Sequence, residues 1–547
     1  MNLHKKKNIW IWVSDMEVEL LDCTLRDGGY INDWKFGSSV IHYMINRFVK
    51  SGVDILEVGF LDERREFDKN RTIYPNTDAL NKVIGNVEKK NTKFFAMIDY
   101  GTCDSNNLTD KSQTVIDGIR IIFKKNNMYN AINLAKEIKS KGYLVTLQLV
   151  SITSYSDEEI EEFCAAANLV NLYGIGIVDT YGLMHREQMQ HYFELLDQNL
   201  KSDIAIGYHS HNNFQLAYSN TIEMLHICKN RHVILDGTAY GMGKSAGNSP
   251  IELVAMFLNE YHVGNYDINQ ILEIIDSCIL PIYQKTSWGY SLPFFLAASN
   301  NCHPNYISYL MKKATLSVKA MNEIVKKINP DKLLNYDEVH IAELYQDYQR
   351  EWYDDTIAIE SIKSIISNDQ VVLIAPGGSI SEEKEKTKVA KKRESTKVIS
   401  VNFIPKDTMV DIVFVGNSRR YSIILDEIEK IENKPLLVVT SNVTSVNREV
   451  DYIINAETLF DKRTHISDNS AAMLLNLLKM IGVKSVVLMG FDGYRFDGKR
   501  DNYCVDSFSY SNDEERLRSV NEQMTDKITE MRECMDITFA TESVYGE

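Results

Sequence analysis

Arg26 and Asp27 stand at the end of an apolar run in Leu20–Tyr30 (LLDCTLRDGGY), and two glycines follow at once. A cation and a carboxylate at a buried strand's end suit a site that handles charge, on a backbone free to turn sharply after it. Far along the chain, His209 and His211 stand two apart in HSHNN. On an extended strand that spacing puts both rings on one side, where they could chelate a divalent ion. Two structural histidines would give the same spacing. Asp27 adds weight if it shares their pocket, because two neutral nitrogens and a carboxylate leave positions open for water or a substrate oxygen. Mn²⁺ or Mg²⁺ fits a water-rich set with one carboxylate, while two imidazoles would also take Zn²⁺ or Co²⁺. Asn248, in the segment DGTAYGMGKSAGNSP (236–250), could add an oxygen donor. Four glycines with Lys244, Ser245 and Asn248 among them point to ligand contact there rather than a plain strand-to-helix connection.

These residues need a frame that brings together positions some 200 apart. Eight apolar or β-branched runs occupy 18–24, 54–60, 93–99, 118–123, 143–150, 173–180, 204–210 and 232–238. Each reads as a strand buried on both faces. Helix-like segments such as 129–141 and 157–170 lie between them. The spacing, about 25–35 residues, is that of a βα unit. Eight in a row predict a (β/α)8 barrel, with an open doubly wound sheet as the alternative. The polar residues favour the barrel. Arg26, Asp27, Glu57, Asp99, Asp179, Thr180, His209, His211 and Asp236 all fall at or near strand ends, which in a barrel share one mouth.

TLRDGG, HSHNN and GxGxxAGN, in that order, resemble the DRE-TIM metallolyase superfamily, which includes 4-hydroxy-2-oxovalerate aldolases, HMG-CoA lyases and isopropylmalate synthases. The resemblance covers roughly residues 16–310. It implies that Asp27, His209 and His211 ligate a divalent metal. Arg26 would stabilise an enolate oxygen, an electrostatic contribution of the largest kind. Thr180 would receive a substrate carboxylate, and Asn248 would join it in binding substrate. Glu57 and Asp22 would support Arg26 and the barrel. Within the family, this chain lacks the cysteine of the HMG-CoA lyases, having Ala239 there, and has RDGGY where condensing synthases show RDGEQ. Aldolases show RDGMH, whose histidine acts as base; Tyr30 takes that place here. A phenol with a reference pKa near 10 needs strong activation to serve as a base, so Tyr30 would orient the aldehyde or relay a proton. Tyr290 is the nearest match to the tyrosine that protonates the enolate in aldolases. The expectation is a metal-dependent aldolase for a 2-oxoacid and an aldehyde. An acyl-CoA-dependent Claisen synthase and a scaffold that binds a nucleotide sugar are the alternatives.

From 371 onward a second α/β pattern begins. Strands are expected at 371–375, 397–403, 411–417, 435–441 and 485–494, with helices at 420–431 and 470–481. This predicts a Rossmann-like domain over 368–547, joined to the barrel domain (16–310) by a helical extension at 311–367 that finishes the first domain, with 1–15 as an N-terminal extension. The run rich in lysine and glutamate at 383–394 is read as a solvated helix. Gly377, Gly378 and Ser379, between a strand and that helix, form a weak phosphate signature that suits a nucleotide or nucleotide sugar. The order of these parts loosely resembles bacterial surface-polysaccharide enzymes, which suggests a role in making their precursors. MGFDGY (489–494) has the look of a site loop as well.

The 547 residues carry a net charge of −16, which disfavours general binding to nucleic acid or anionic membranes. Eight scattered cysteines without a CxxC pair read as reduced thiols. Apolar runs are too short to cross a membrane, and Ile9–Val13 is too short for a signal peptide. A cytoplasmic homo-oligomer is expected, the oligomer by the resemblance alone.

Overall fold

The computed structural model describes residues 17–546, apart from 229, 314–315, 334–335, 351, 367–369, 382–395, 406–407, 444–449 and 497–513. The expected extension at 1–15 and the charged run at 383–394 lie outside the described residues. The chain divides into two compact units, Met1–Pro304 and Asn305–Glu547.

In the first unit, β1 (Val18–Asp22), β2 (Ile55–Leu61), β4 (Lys93–Asp99), β5 (Gly118–Phe123), β6 (Leu144–Leu149), β7 (Gly174–Asp179), β8 (Ala205–Ser210) and β9 (Val233–Gly237) form a closed parallel barrel. β9 pairs with β1, and β1 with β2, which completes the ring. Leu21, Cys23, Ile55, Phe95, Ala205 and Ile234 fill part of the interior, and helices cover the outside. The helices are started by ordinary local chemistry. Ser156 caps Asp157–Ala167 in a reciprocal box: Glu159 N–H donates to the Ser156 hydroxyl, and Ser156 N–H donates to the Glu159 carboxylate.

A short strand absent from the sequence expectation, β3 (Ile73–Tyr74), extends the sheet beside Phe60 and Leu61. It accompanies a bulge in β2. Glu57 pairs with Phe95, but Phe60 pairs with Met97, so Val58 and Gly59 together face one residue of β4. Gly59 has φ +141° and lies against Thr72; a Cβ there would stand 2.1 Å from the Thr72 carbonyl oxygen. Glu57 and Phe60 are thereby turned to the same side and both reach Arg26.

At the opposite end of the barrel, Glu19 gathers three donors: Lys93 Nζ at 2.5 Å, the Tyr173 hydroxyl at 2.6 Å and His232 Nε2 at 3.0 Å. Burial would raise the Glu19 carboxyl, but these hydrogen bonds hold it down at about 2. A carboxyl depressed from 4.5 in this way stabilises the fold above its unfolded pKa. That contribution is lost as pH falls from about 4.5 to about 2. It amounts to roughly 3 kcal/mol at neutral pH. Glu19→Gln should therefore lower barrel stability at pH 7 and narrow its margin over wild type by pH 3. Urea denaturation of both forms across that range checks this. Equal margins at both pH values would remove Glu19 from the account.

The second unit contains a seven-stranded parallel sheet: β10 (Gln370–Ile374), β11 (Lys397–Val401), β12 (Ile412–Val415), β13 (Leu436–Thr440), β14 (Tyr452–Ile454), β15 (Ser485–Met489) and β16 (Asp536–Phe539), in the order β14-β13-β12-β11-β10-β15-β16. Apolar side chains pack on both faces, as a parallel sheet requires. β14, β16 and the helix Glu514–Arg532 were not expected from sequence. The helices between 311 and 367 group with this second unit instead of finishing the barrel domain, and the boundary falls at Pro304/Asn305 instead of 310/311. Ser317 N–H donates to the Ser418 hydroxyl, Asn442 to Gln349, and Asn455 N–H to Asp355, which ties that segment to the second sheet's own loops.

Candidate metal centre and active site

Asp27, just past β1, meets His209 near the end of β8 and His211 just past it, and all three are buried. One donor atom from each lies within 4.8 Å of the others. The histidines are oriented from behind. His209 Nδ1 is 3.0 Å from Asp236 Oδ2, and His211 Nδ1 is 3.2 Å from the Gly247 carbonyl oxygen. Both acceptors hold Nδ1 as the protonated nitrogen, so each Nε2 lone pair is free to ligate. Burial pushes His211 down to about 4, which keeps the ring neutral at pH 7. Burial alone would raise the Asp27 carboxyl; Arg26 and then the two histidines hold it well below the usual carboxylate range. Asn248 Nδ2 donates to Asp27 Oδ2, while its buried Oδ1 has no partner among the described residues. Two imidazoles with Nε2 turned to one point, a carboxylate and an idle amide oxygen fit a divalent cation. Cys23, His209 and Asp236 also group by distance, but the His209–Asp236 hydrogen bond accounts for that proximity.

Asp236→Asn keeps the shape but weakens the acceptor behind His209. Metal affinity should fall by about 10–100-fold, read by competition with a chelating dye. An unchanged affinity would show that Asp236 serves Arg120 alone.

Arg26 is held on two sides, by Nε to Glu57 Oε2 and by Nη1 to Asp27 Oδ1, each at 2.7 Å. Its Nη2 makes no hydrogen bond among the described residues and remains a donor for a ligand. Glu57 thus supports Arg26 as expected. Asp22 does not: it accepts from the Thr24 N–H and hydroxyl, and the Thr24 hydroxyl accepts from Ala239 N–H, so Asp22 braces the turn. The two glycines were expected to supply a sharp turn, yet neither has a positive φ. Gly29 is required by close approach: a Cβ would stand 2.0 Å from the Trp34 ring. The Trp34 indole N–H donates to the Arg26 carbonyl at 2.7 Å and so fixes the Arg26 backbone.

Tyr30 lies in this mouth with its ring edge-on to Trp34 and Phe60. The residue is 42% exposed, but burial of the phenol end and the nearby Asp27 carboxylate push it up to about 12. Thr180 Oγ1 accepts the Ser151 N–H at 2.7 Å, which leaves its own proton for a ligand. Asp179 accepts the N–H groups of Leu183 and Met184 and shapes the loop after β7. Tyr290 is 61% exposed in the irregular stretch before Leu292–Ser299, and no contact among the described residues links it to Asp27, His209 or His211.

Arg120 was missed. It sits inside β5, 3% exposed, and reaches Glu57 Oε2 at 3.4 Å, Gln148 Oε1 at 3.1 Å and Asp236 Oδ2 at 2.5 Å. It joins the carboxylate behind Arg26 to the one behind His209. Its signal was a lone arginine in GIRIIF, a run otherwise fit only for the core.

In the second sheet, the Gly377 N–H donates to the Gly490 carbonyl oxygen. The Ser379 N–H and hydroxyl donate to the Asp492 carboxylate at 2.7 and 2.6 Å. The protein's own acceptors thus fill three of the donors expected for phosphate. The loop does lie where the chain order reverses, between β10 and β15, which brings 377–379 beside 489–494.

Residues 17–277 match the HMGL-like family model. Over 266 residues the chain is 25% identical to oxaloacetate decarboxylase of Mycobacterium tuberculosis, covering 48% of this chain and 76% of that protein. Over 278 residues it is 22% identical to 4-hydroxy-2-oxovalerate aldolase of Pseudoalteromonas translucida, covering 49% and 78%. Among solved structures, the HMG-CoA lyase of Bacillus subtilis aligns with a TM-score of 0.40 at 14% identity, covering 51% of this chain and 96% of that one.

Proposed function

We propose that this protein, whose residues 17–277 match the HMGL-like family model, is a divalent-metal-dependent carbon–carbon lyase that cleaves or forms the C3–C4 bond of a 4-hydroxy-2-oxoacid through a pyruvate-type enolate. The observation that carries the reading is the contact of Arg26 Nη1 with Asp27 Oδ1 at 2.7 Å, which puts a guanidinium beside the metal-ligand set. A divalent cation held by Asp27, His209 and His211, with Asn248 Oδ1 at hand, would supply Lewis-acid polarisation of the 2-oxo group. Mn²⁺ or Mg²⁺ is the favoured ion, with Zn²⁺ or Co²⁺ compatible with the two imidazoles.

In cleavage, the 4-hydroxyl gives its proton to solvent water in the mouth, and the C3–C4 electron pair passes to the pyruvate fragment as an enolate. The aldehyde leaves, and a proton taken back from solvent at C3 gives pyruvate. Arg26 Nη2 donates to the enolate oxygen, where negative charge develops. The Thr180 hydroxyl donates to the substrate carboxylate. Tyr30, with its phenol pushed up to about 12, keeps its proton at pH 7. It therefore acts as a hydrogen-bond donor to the aldehyde oxygen and retains its own proton in both directions.

The test is deuterium exchange into the methyl group of pyruvate, followed by NMR. Exchange with Mn²⁺ or Mg²⁺ that disappears in the metal-stripped protein is expected. No exchange with any divalent metal would overturn the proposal. The thioester-condensing alternative predicts free thiol release from acyl-CoA, and absence of that release counts against it.

A further inference from the structure

We propose that Lys244 recognises an anionic group, a carboxylate or a phosphate, on the aldehyde reactant, so that the second substrate is an anion. This rests on the aldolase reading above. Lys244 follows Gly243, whose backbone is pressed against the ligand set: a Cβ at Gly243 would stand 2.6 Å from Asp27 Oδ2 and 2.1 Å from Asn248 Nδ2. Lys244 is therefore one residue from the metal centre, on a turn fastened at both ends. Gly247 N–H donates to the Lys244 carbonyl at 3.0 Å, and the Gly247 carbonyl oxygen accepts from Asn212 N–H and from His211. Ala246 N–H donates to Asn213 Oδ1. The lysine is thus anchored, not carried on a loose loop.

Its ammonium points across the mouth. Nζ lies 5.7 Å from the centroid of the Tyr30 ring, the residue assigned to the aldehyde oxygen. No carboxylate among the described residues pairs with it, although most other cations of the barrel near the site do have such a partner: Arg26 with Asp27 and Glu57, Arg120 with Asp236, Arg64 with Asp62. A cation one residue from the ligand set would be repelled by a divalent metal there, and among the described residues the Tyr30 ring is the group that holds it. An anion brought by the substrate would relieve that repulsion. The Tyr30 side of the mouth belongs to the aldehyde, while the pyruvate carboxylate has Thr180.

Two pairs of aldehydes test this with the full-length, metal-loaded protein and pyruvate: succinic semialdehyde against butanal, and glyceraldehyde 3-phosphate against glyceraldehyde. In wild type, kcat/KM for one charged member should exceed its neutral partner by about tenfold or more, the worth of one charge-assisted hydrogen bond. The pair showing the preference tells carboxylate from phosphate. Lys244→Met should bring that ratio toward one, and Lys244→Arg should retain most of it. A wild-type ratio near one in both pairs, with pyruvate exchange intact, overturns this proposal alone. So does a Met variant that keeps the ratio but raises the pyruvate KM, because Lys244 would then serve the 2-oxoacid. Absence of pyruvate exchange in wild type overturns the aldolase reading, and this proposal with it.

Discussion

Arg26→Ala should slow metal-dependent exchange of the pyruvate methyl protons by about 10²–10³-fold, the loss typical of one preorganised oxyanion donor. The guanidinium is fixed before substrate arrives, by Glu57 at Nε and Asp27 at Nη1, so it costs no reorganisation when the enolate forms. Alanine also takes the guanidinium from buried Asp27 and leaves Glu57 only Arg120 at 3.4 Å, so the variant will be less stable. Arg26→Lys separates the two effects. It restores a charge for Glu57 and Asp27 but cannot present a planar fork to both and still donate from a third nitrogen. Folding should recover more than exchange does. Single-turnover exchange rates, with folding followed by circular dichroism and metal content by mass spectrometry, provide the readout. A lysine variant that restores both equally would reduce Arg26 to a structural counter-ion.

The second large effect is on stability. Arg120→Met should cost about 3–5 kcal/mol, because it leaves the buried Asp236 carboxylate without its guanidinium, beside His209 alone, while Glu57 keeps Arg26. Methionine roughly matches the arginine stem in length, so the cost reports charge more than volume. The double variant Arg120→Met with Asp236→Asn removes a charge of each sign and should be more stable than the single Arg120→Met. Urea midpoints of the barrel's transition measure both. A loss below about 1 kcal/mol for the single variant would mean that the charges inside the barrel are screened, like a surface pair.

Most of the barrel could be read in advance because its strands are buried on both faces. Such strands appear as contiguous apolar runs, and their ends were placed within two residues of those observed. That Asp27, His209 and His211 come together was legible for a related reason: His209 lies at the end of β8 with His211 just beyond it, and Asp27 follows β1. What escaped depends on neighbours distant in sequence. Arg120 lies in a run that reads as core, and only Glu57 and Asp236, far away in the chain, show why a cation is tolerated there. Asp22 looked like a partner for Arg26 but is spent on Thr24, because its reach is fixed by the turn. β14 and β16, of three and four residues, lie at the edges of the second sheet and carry too short a pattern to stand out. The Gly377–Ser379 loop had donors of the right kind. The carboxylate that occupies Ser379 belongs to Asp492, more than a hundred residues later.

The doubled position at Val58–Gly59 bears on how this chain can change over evolutionary time. Lengthening or trimming a loop on a barrel leaves every strand facing as before. Removing one residue here would restore simple alternation in β2 and turn Phe60 away from Arg26, Tyr30 and Trp34. The aromatic wall of the mouth thus depends on residue count as well as residue identity. Variants with altered side chains at Phe60 can be graded in their effect. A one-residue deletion at this point offers no intermediate: it exchanges one lining of the pocket for another in a single step.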